Sequence, residues 1–297
     1  MKTIVATIDA WCEFEYRIKK ASRMTISNCY YNRDELVYLF NKKNCYLNIF
    51  EDAAILFVPR FIYYDEILYI ATTPNVLARS LKVLQETYPS DRTMTLSIIG
   101  KEPSINAMVD VLESLYFTQM SKLGRMILKK PTAKILDAIR DIVAAQDDDH
   151  TLIPSFAEEG DAEEVFNFLS REFDICADAL PEQDEVLENI RKRQVIIIKD
   201  SEKIVCVHYF MIKNHIYYGY FDATDIDYRK KFLFFRIILF IFTLEEDRMK
   251  FIVRRYGWRN FKKKSLLRFA LHCNQKLDGV LVYHFAWSPS GVMKPYE

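Results

Sequence analysis

Apolar and polar positions along this chain of 297 residues fall into blocks, and the blocks recur. In the second half, Asp161-Ala162-Glu163-Glu164 reads as a capping box opening a helix whose positions Val165, Phe166, Leu169 and Phe173 share one face. A second acidic helix is expected from Glu182 to about Arg193. Three runs rich in β-branched and aromatic residues follow, over 194–200, 203–214 and 215–224, with short polar turns between them; they read as an antiparallel meander. A helix from Tyr228 to about Asp247, a strand "MKFIVRR", a helix from about Asn260 to Cys273 and a strand "GVLVYHFAW" complete the half.

The first half repeats this order. Asn32 with Glu35 caps a helix through Phe40, and "CYLNIFED", "AAILFVPRFIYYD" and "EILYIATT" are three strand candidates. Pro74 opens a helix with Leu77, Leu81, Leu84 and Tyr88 on one stripe. "TMTLSIIG" reads as a strand, Ser104 as the cap of the helix "INAMVDVLESLY", and "GRMILKK" closes the half. Corresponding points, Ile67 and Ile216 or Cys45 and Val195, stand about 150 residues apart, which predicts two copies of one fold. The expected bounds are 1–130 and 151–297, with 131–150 as a linker carrying a short helix and a solvated acidic run.

With 50% hydrophobic and 14% aromatic residues against 7 Gly and 9 Pro, the chain is core-rich and not disordered. Its 41 basic and 41 acidic residues balance, so a nucleic-acid or membrane partner has to be sought in local clusters. The scattered cysteines lack any CxxC pair and read as reduced core residues; with no export signal at the N-terminus, a cytoplasmic location is expected. The longest apolar segment, Phe232–Leu244, contains Arg236 and is shorter than the roughly 18–20 residues of a membrane span, so it reads as a buried helix. No membrane partner is expected.

Strand, two helices, three antiparallel strands, helix, strand, helix, strand is the order of the GNAT N-acetyltransferase superfamily, and the chain resembles a tandem GNAT protein over nearly its whole length. The resemblance implies an α+β fold of two GNAT-like domains, each a mixed, mostly antiparallel sheet flanked by helices. It also implies a turn after the fourth strand whose amides hold the pyrophosphate of acyl-CoA. At that place stand Ala223, Thr224, Tyr228, Arg229, Lys230 and Lys231, and Lys230, Phe232 and Phe234 replace the family's three glycines. Bulk there obstructs the approach of a phosphate to backbone or turns into the core, while the cations remain. The first half offers only Arg79 at its turn, and Pro74 removes an amide, so the second half is the expected acyl-CoA site.

The same resemblance sets Asn260 beside the cofactor and puts Phe269 where the family often has a proton-donating Tyr. Tyr217, Tyr218, Tyr220 and Tyr256 are the substitutes nearby, Tyr220 and Tyr256 being preferred, and Asp222 and His208 are candidates for a general base; in strands all of these side chains also serve packing. The basic segment 248–268, interleaved with Tyr256, Trp258 and Phe261, suits a nucleotide phosphate, a carrier-protein face, RNA, or simply a cationic exposed face. The five histidines show no metal-ligand spacing, so no metal is expected, and no GxSxG, GxGxxG or Walker motif occurs. Three functions remain open. The first is an N-acyltransferase moving an acetyl or other acyl group from acyl-CoA to a small-molecule primary amine; the others are a non-catalytic GNAT-like binding or scaffold protein and an aminoacyl-tRNA-dependent transferase of related double fold.

Overall fold

The computed structural model describes residues 1–22, 24–61, 64–88, 91–145, 152–244, 249–262 and 275–291. It divides into two compact units, Met1–Lys122 with Gly279–Glu297, and Leu123–Asp278. Among the described residues no helix is long and apolar enough to cross a membrane.

The first unit runs β1 (Lys2–Val5), α1 (Ile8–Ala21), β2 (Ile26–Ser27), α2 (Arg33–Lys42), β3 (Tyr46–Ile49), β4 (Ala53–Arg60), β5 (Tyr64–Ala71), α3 (Pro74–Thr87), β6 (Thr93–Lys101) and α4 (Glu102–Ser114). The capping box at α2 forms as expected: Asn32 Oδ1 accepts from the Glu35 amide at 2.9 Å and Glu35 accepts from the Asn32 amide at 2.6 Å. α1, absent from the sequence reading, is capped by Thr7 and buries Trp11 and Ile18 against Leu36, Leu39, Leu56 and Leu68. Helix α4 begins ahead of Ser104, with Lys101 at its cap and Pro103 in its first turn. Strands β1, β3, β4 and β5 pair antiparallel in that order, and β6 then adds to β5 in parallel.

After β7 (Thr118–Ile127), the second unit runs α5 (Ala133–Ala144), β8 (Pro154–Phe156), α6 (Ala162–Glu172), α7 (Gln183–Arg191), β9 (Val195–Asp200), β10 (Lys203–Lys213), β11 (Ile216–Thr224), α8 (Leu233–Leu239) and β12 (Arg254–Asn260). Glu182 and Glu185 cap α7 as a box, whereas the box expected at α6 belongs to Glu158 and Asp161 and closes a 3₁₀ turn before the helix. β12 starts later than the run "MKFIVRR" suggested, at Arg254, where Leu128 and the end of β7 supply its antiparallel partners. The core gathers Ile196, Ile198, Val205, Phe210, Tyr217, Leu233 and Ile237, each such buried side chain contributing about 1.5–3 kcal/mol.

A continuous reading of the chain puts the bounds at 1–130 and 151–297, and the compact units depart from it at their closing strands. β13 (Lys276–Trp287) pairs antiparallel with β6 of the first unit, Val280 opposite Lys101 through Trp287 opposite Met94. β7 follows the first unit's helices but pairs antiparallel with β12 of the second, Tyr256 opposite Ile127 through Asn260 opposite Leu123. The partner of each strand lies far off in sequence, so nothing local in either one states which sheet it closes.

Among the described residues, each unit holds one parallel pair that parts partway along. β5 and β6 share register only from Tyr64–Thr93 to Ile67–Leu96, and β11 and β12 only from Ile216–Arg254 to Gly219–Gly257. Beyond those points the strands turn to other neighbours and leave a wedge between them. In the first unit the chain itself takes that place. Ile26 and Ser27 pair with Ala71 and Ile70, and the Asn28 side chain donates to the Ile67 carbonyl at 2.8 Å and accepts from the Tyr69 amide at 2.7 Å. Those are the two bonds that the next residue of a parallel strand would make. Tyr30 reaches the far wall, donating to the Ile99 carbonyl at 3.4 Å. In the second unit, among the described residues, no strand adds to β11 in the corresponding place.

Candidate active site

The chain has only 7 glycines, and two of them, Gly219 and Gly257, face each other where β11 and β12 part. A Cβ on Gly257 would lie 3.3 Å from the Leu128 side chain, a tight contact, and 3.5 Å from the Arg259 guanidinium, an ordinary one, so the glycine lets Leu128 pack close to β12.

Behind this opening a β-bulge sets the chemistry. Gly219 lies opposite Phe210, but Phe221 lies opposite Tyr209 and Asp222 opposite His208, so Tyr220 is the extra residue. A bulge shifts the face of everything after it. Asp222 therefore joins Tyr217 on the sheet face that carries His208 and Phe210, although strict alternation from Tyr217 would have sent it to the other face. The result is a continuous line of polar groups. The Asp222 carboxylate meets His208 Nδ1 at 2.6 Å, and His208 Nε2 meets the Tyr217 hydroxyl. Arg259 reaches from the other wall of the wedge to the second Asp222 oxygen at 3.3 Å.

Protonation follows from this order. Burial alone would raise the Asp222 carboxyl, but the hydrogen bond and charge of His208, with Arg259, outweigh it and hold it below its ordinary range. A carboxylate accepts only, so His208 donates its Nδ1 proton to Asp222, and its Nε2 shares a hydrogen bond with the Tyr217 hydroxyl. Burial, and then the charge of Asp222, push the Tyr217 hydroxyl well above its ordinary value, so it keeps its proton. His208 is almost fully buried, while the Asp222 and Arg259 side chains stay 22% and 17% exposed, which makes those two the end of the line that meets the wedge.

The other residues picked out by sequence fall elsewhere. Tyr220 packs its ring with Tyr218 and Phe221. Tyr256 is buried against Tyr218, with the Arg125 guanidinium 4.3 Å over its ring. Ala223 is buried, and the Thr224 hydroxyl lies 3.3 Å from the Cys206 thiol. Asn260 stands at the wedge end of β12, 3.5 Å from Asp178 of the α6–α7 connection.

The basic turn is not a helix start. Residues Ile226–Lys231 form a 3₁₀ turn capped by Asp225, and α8 begins only at Leu233 instead of Tyr228. Phe232 between them is left-handed, at φ 50°, a conformation that favours glycine. Phe232 is exposed and stacks on Phe235, while Phe234 turns inward and meets the His208 ring edge-on at 5.8 Å. Arg229 is held by Glu172 at 3.2 Å and donates to the Thr224 carbonyl at 3.4 Å; the Lys231 ammonium lies 5.0 Å over the Tyr228 ring, whose hydroxyl binds Asp200. Lys230 is exposed on the same turn.

Of the basic segment, Arg254 is exposed, Arg255 lies 5.7 Å over the Phe242 ring and Arg259 enters the wedge, so these three do not form one cationic face. Arg248, Lys263, Lys264, Ser265, Arg268 and Phe269 lie outside the described residues. Sequence reasoning missed Arg259 as a site residue because it stands among so many other cations. Among the described residues, no three His, Cys, Asp or Glu side chains group as metal ligands.

No family model and no curated protein matches the chain in sequence. Solved structures match its fold. A tandem GNAT protein from the clavulanic acid biosynthesis pathway aligns over 100% of this chain and 99% of its own, at 8% identity and a TM-score of 0.60. A GCN5-related N-acetyltransferase from Sphaerobacter thermophilus aligns over 97% of this chain and 95% of its own, at 8% identity and a TM-score of 0.57. One from Kribbella flavida aligns over 96% and 70%, at 7% identity and a TM-score of 0.53.

Proposed function

Starting from a chain with the fold of a tandem GNAT protein, we propose that it is an N-acyltransferase. It moves an acetyl or other acyl group from a CoA thioester to the primary amine of a small molecule, in the wedge of the second unit. The observation that carries this reading is the difference between the two wedges. In the first, Asn28 and β2 already make the bonds that an extended amide-bearing ligand would make; in the second, no described strand does, and a buried polar line ends there.

The second wedge fits the arm of an acyl-CoA by the same logic: the Asn28 amide on β5 is a model for a ligand amide on β11. Arg229, Lys230 and Lys231 stand on the turn that follows β11 and supply charge for its phosphates. Transfer forms the bond from amine nitrogen to acyl carbon and breaks the bond from that carbon to sulfur. Of the two protons the ammonium gives up, one ends on the thiol, and Asp222 takes the other and passes it to water.

A binding module without catalysis is the second reading, and the left-handed, exposed Phe232 together with the Arg229–Glu172 pair favours it. The two readings separate in one series. Acetyl-CoA, longer acyl-CoAs and free CoA should raise the melting temperature with one ligand per chain, and Arg229→Ala with Lys231→Ala should remove the rise. No rise at millimolar ligand sinks both readings where CoA is concerned. A rise without thiol release over an amine panel leaves only binding.

A further inference from the structure

The Asp222–Arg259 ion pair bridges the two walls of the second wedge past the point where their backbones part. We propose that this pair is the acceptor site, and that the acceptor is an amino acid or a similar small molecule carrying an ammonium and a carboxylate close together. This rests on the acyltransfer reading and names its second substrate.

Three features point to that class. Asp222 uses its Oδ1 atom for His208 and its Oδ2 atom for Arg259, so one oxygen remains fixed by the sheet when the other changes partner. Arg259 is anchored on its own strand, its Nη1 donating to the Trp258 carbonyl at 3.0 Å, while Nη2 makes the bond to Asp222. Both side chains are mostly buried, so whichever of them a ligand separates from the other has to be given a new partner. A zwitterion does this for both at once: its ammonium takes Asp222 Oδ2, its carboxylate takes the Arg259 guanidinium, and one ion pair becomes two. A plain amine would satisfy Asp222 and leave the mostly buried Arg259 without a counter-charge. A plain carboxylate would do the reverse.

Sites built to pair a buried polar group reject analogues lacking its partner strongly, so the preference for the zwitterion over its uncharged-carboxyl analogue should be at least about 100-fold in kcat/KM. The test is thiol release from acetyl-CoA with each amino acid supplied in three forms: free acid, carboxamide and decarboxylated amine. The expected result is turnover of a free acid with the other two forms at least about 100-fold poorer. Arg259→Gln should lower kcat/KM for the free acid by a similar factor while leaving the carboxamide within about threefold. Arg259→Lys, which keeps the charge and loses the fork, should fall between. A second readout needs no chemistry: the preferred amino acid alone should raise the melting temperature of the wild-type protein and not of Arg259→Gln.

Equal use of the three forms, or equal loss on free acid and carboxamide in Arg259→Gln, would overturn the proposal while leaving acyl transfer standing. Binding of acyl-CoA with no turnover, together with a melting-temperature rise from an amino acid that depends on Arg259, would keep the acceptor site and sink the transferase reading. No rise from any amino acid and no turnover would overturn both.

Discussion

Asn28→Ala is the sharpest test of the idea that the first wedge is sealed by its own chain. The Asn28 side chain is 6% exposed and answers two backbone groups of β5, the Ile67 carbonyl and the Tyr69 amide, both on residues that are no more than 2% exposed. Alanine removes both partners at once, and the site is closed to water. Leaving a buried backbone donor and a buried backbone acceptor unpaired costs about 1–3 kcal/mol each, so the loss should be roughly 4 kcal/mol. Ser27→Ala is the control. It deletes the bond from Ser27 Oγ to the Tyr69 carbonyl at 2.8 Å and the bond that Ser27 Oγ accepts from the part-buried Cys29 amide at 3.1 Å, but the Tyr69 carbonyl still accepts from the Asn28 amide at 3.3 Å, so the cost should stay at about 1–2 kcal/mol. Asn28→Asp should be no better than alanine, because it keeps the acceptor for Tyr69 but sets a carboxylate against the Ile67 carbonyl. Urea unfolding gives the stability, and hydrogen exchange at the Tyr69 amide reports the first unit specifically, whether or not the two units unfold together. If Asn28→Ala matches Ser27→Ala in stability and the Tyr69 amide keeps its protection, the reasoning is refuted.

Two further expectations concern buried polar groups. Tyr217→Phe leaves His208 Nε2 buried without its partner and should cost about 1–3 kcal/mol in denaturant unfolding, whereas adding His208→Phe to it should cost less than the two single losses together, because the stranded nitrogen is then gone; strict additivity would mean that the two side chains do not act as one unit. Burial depresses His284, beside Ser97 in the first unit, from 6.5 to about 4. Its folded pKa lies below its unfolded one, so the unfolded chain binds the proton first: stability is full above about pH 6.5, falls as pH drops toward 4 and levels off below. Allowing for the partial exposure of the ring, the loss is about 2 kcal/mol. His284→Asn should flatten that part of the stability curve, and an unchanged slope would contradict the burial argument.

Much of the fold was legible because it is written locally. Asn32 with Glu35, Glu182 with Glu185, the Leu77–Leu81–Leu84 stripe and the meander strands carry their own signals, and they recur along the chain. Even α1 had a signal, a Thr7 cap with Trp11 and Ile18 on one side, that the acidic and aromatic residues between them hid. What escaped was non-local. The exchange of β7 and β13 depends on which distant strand each meets, and a strand's own residues do not declare that partner. The candidate site escaped for a related reason. Asp222, His208 and Tyr217 were each noticed, but period-two alternation separates Tyr217 from Asp222, and only the bulge at Tyr220 brings them together. Arg259 was concealed by its basic neighbours until the parting of β11 and β12 singled it out.

The exchanged strands also set a timetable for synthesis. Residues 123–278 hold one unit without interruption, so it can assemble as soon as its own residues have left the ribosome. The other unit has most of its residues made first, yet β6 must wait for Gly279–Trp287 before its edge is paired. For the time needed to translate the whole second unit, the earlier half therefore carries an unfinished sheet edge, and the half made later is the first that can close.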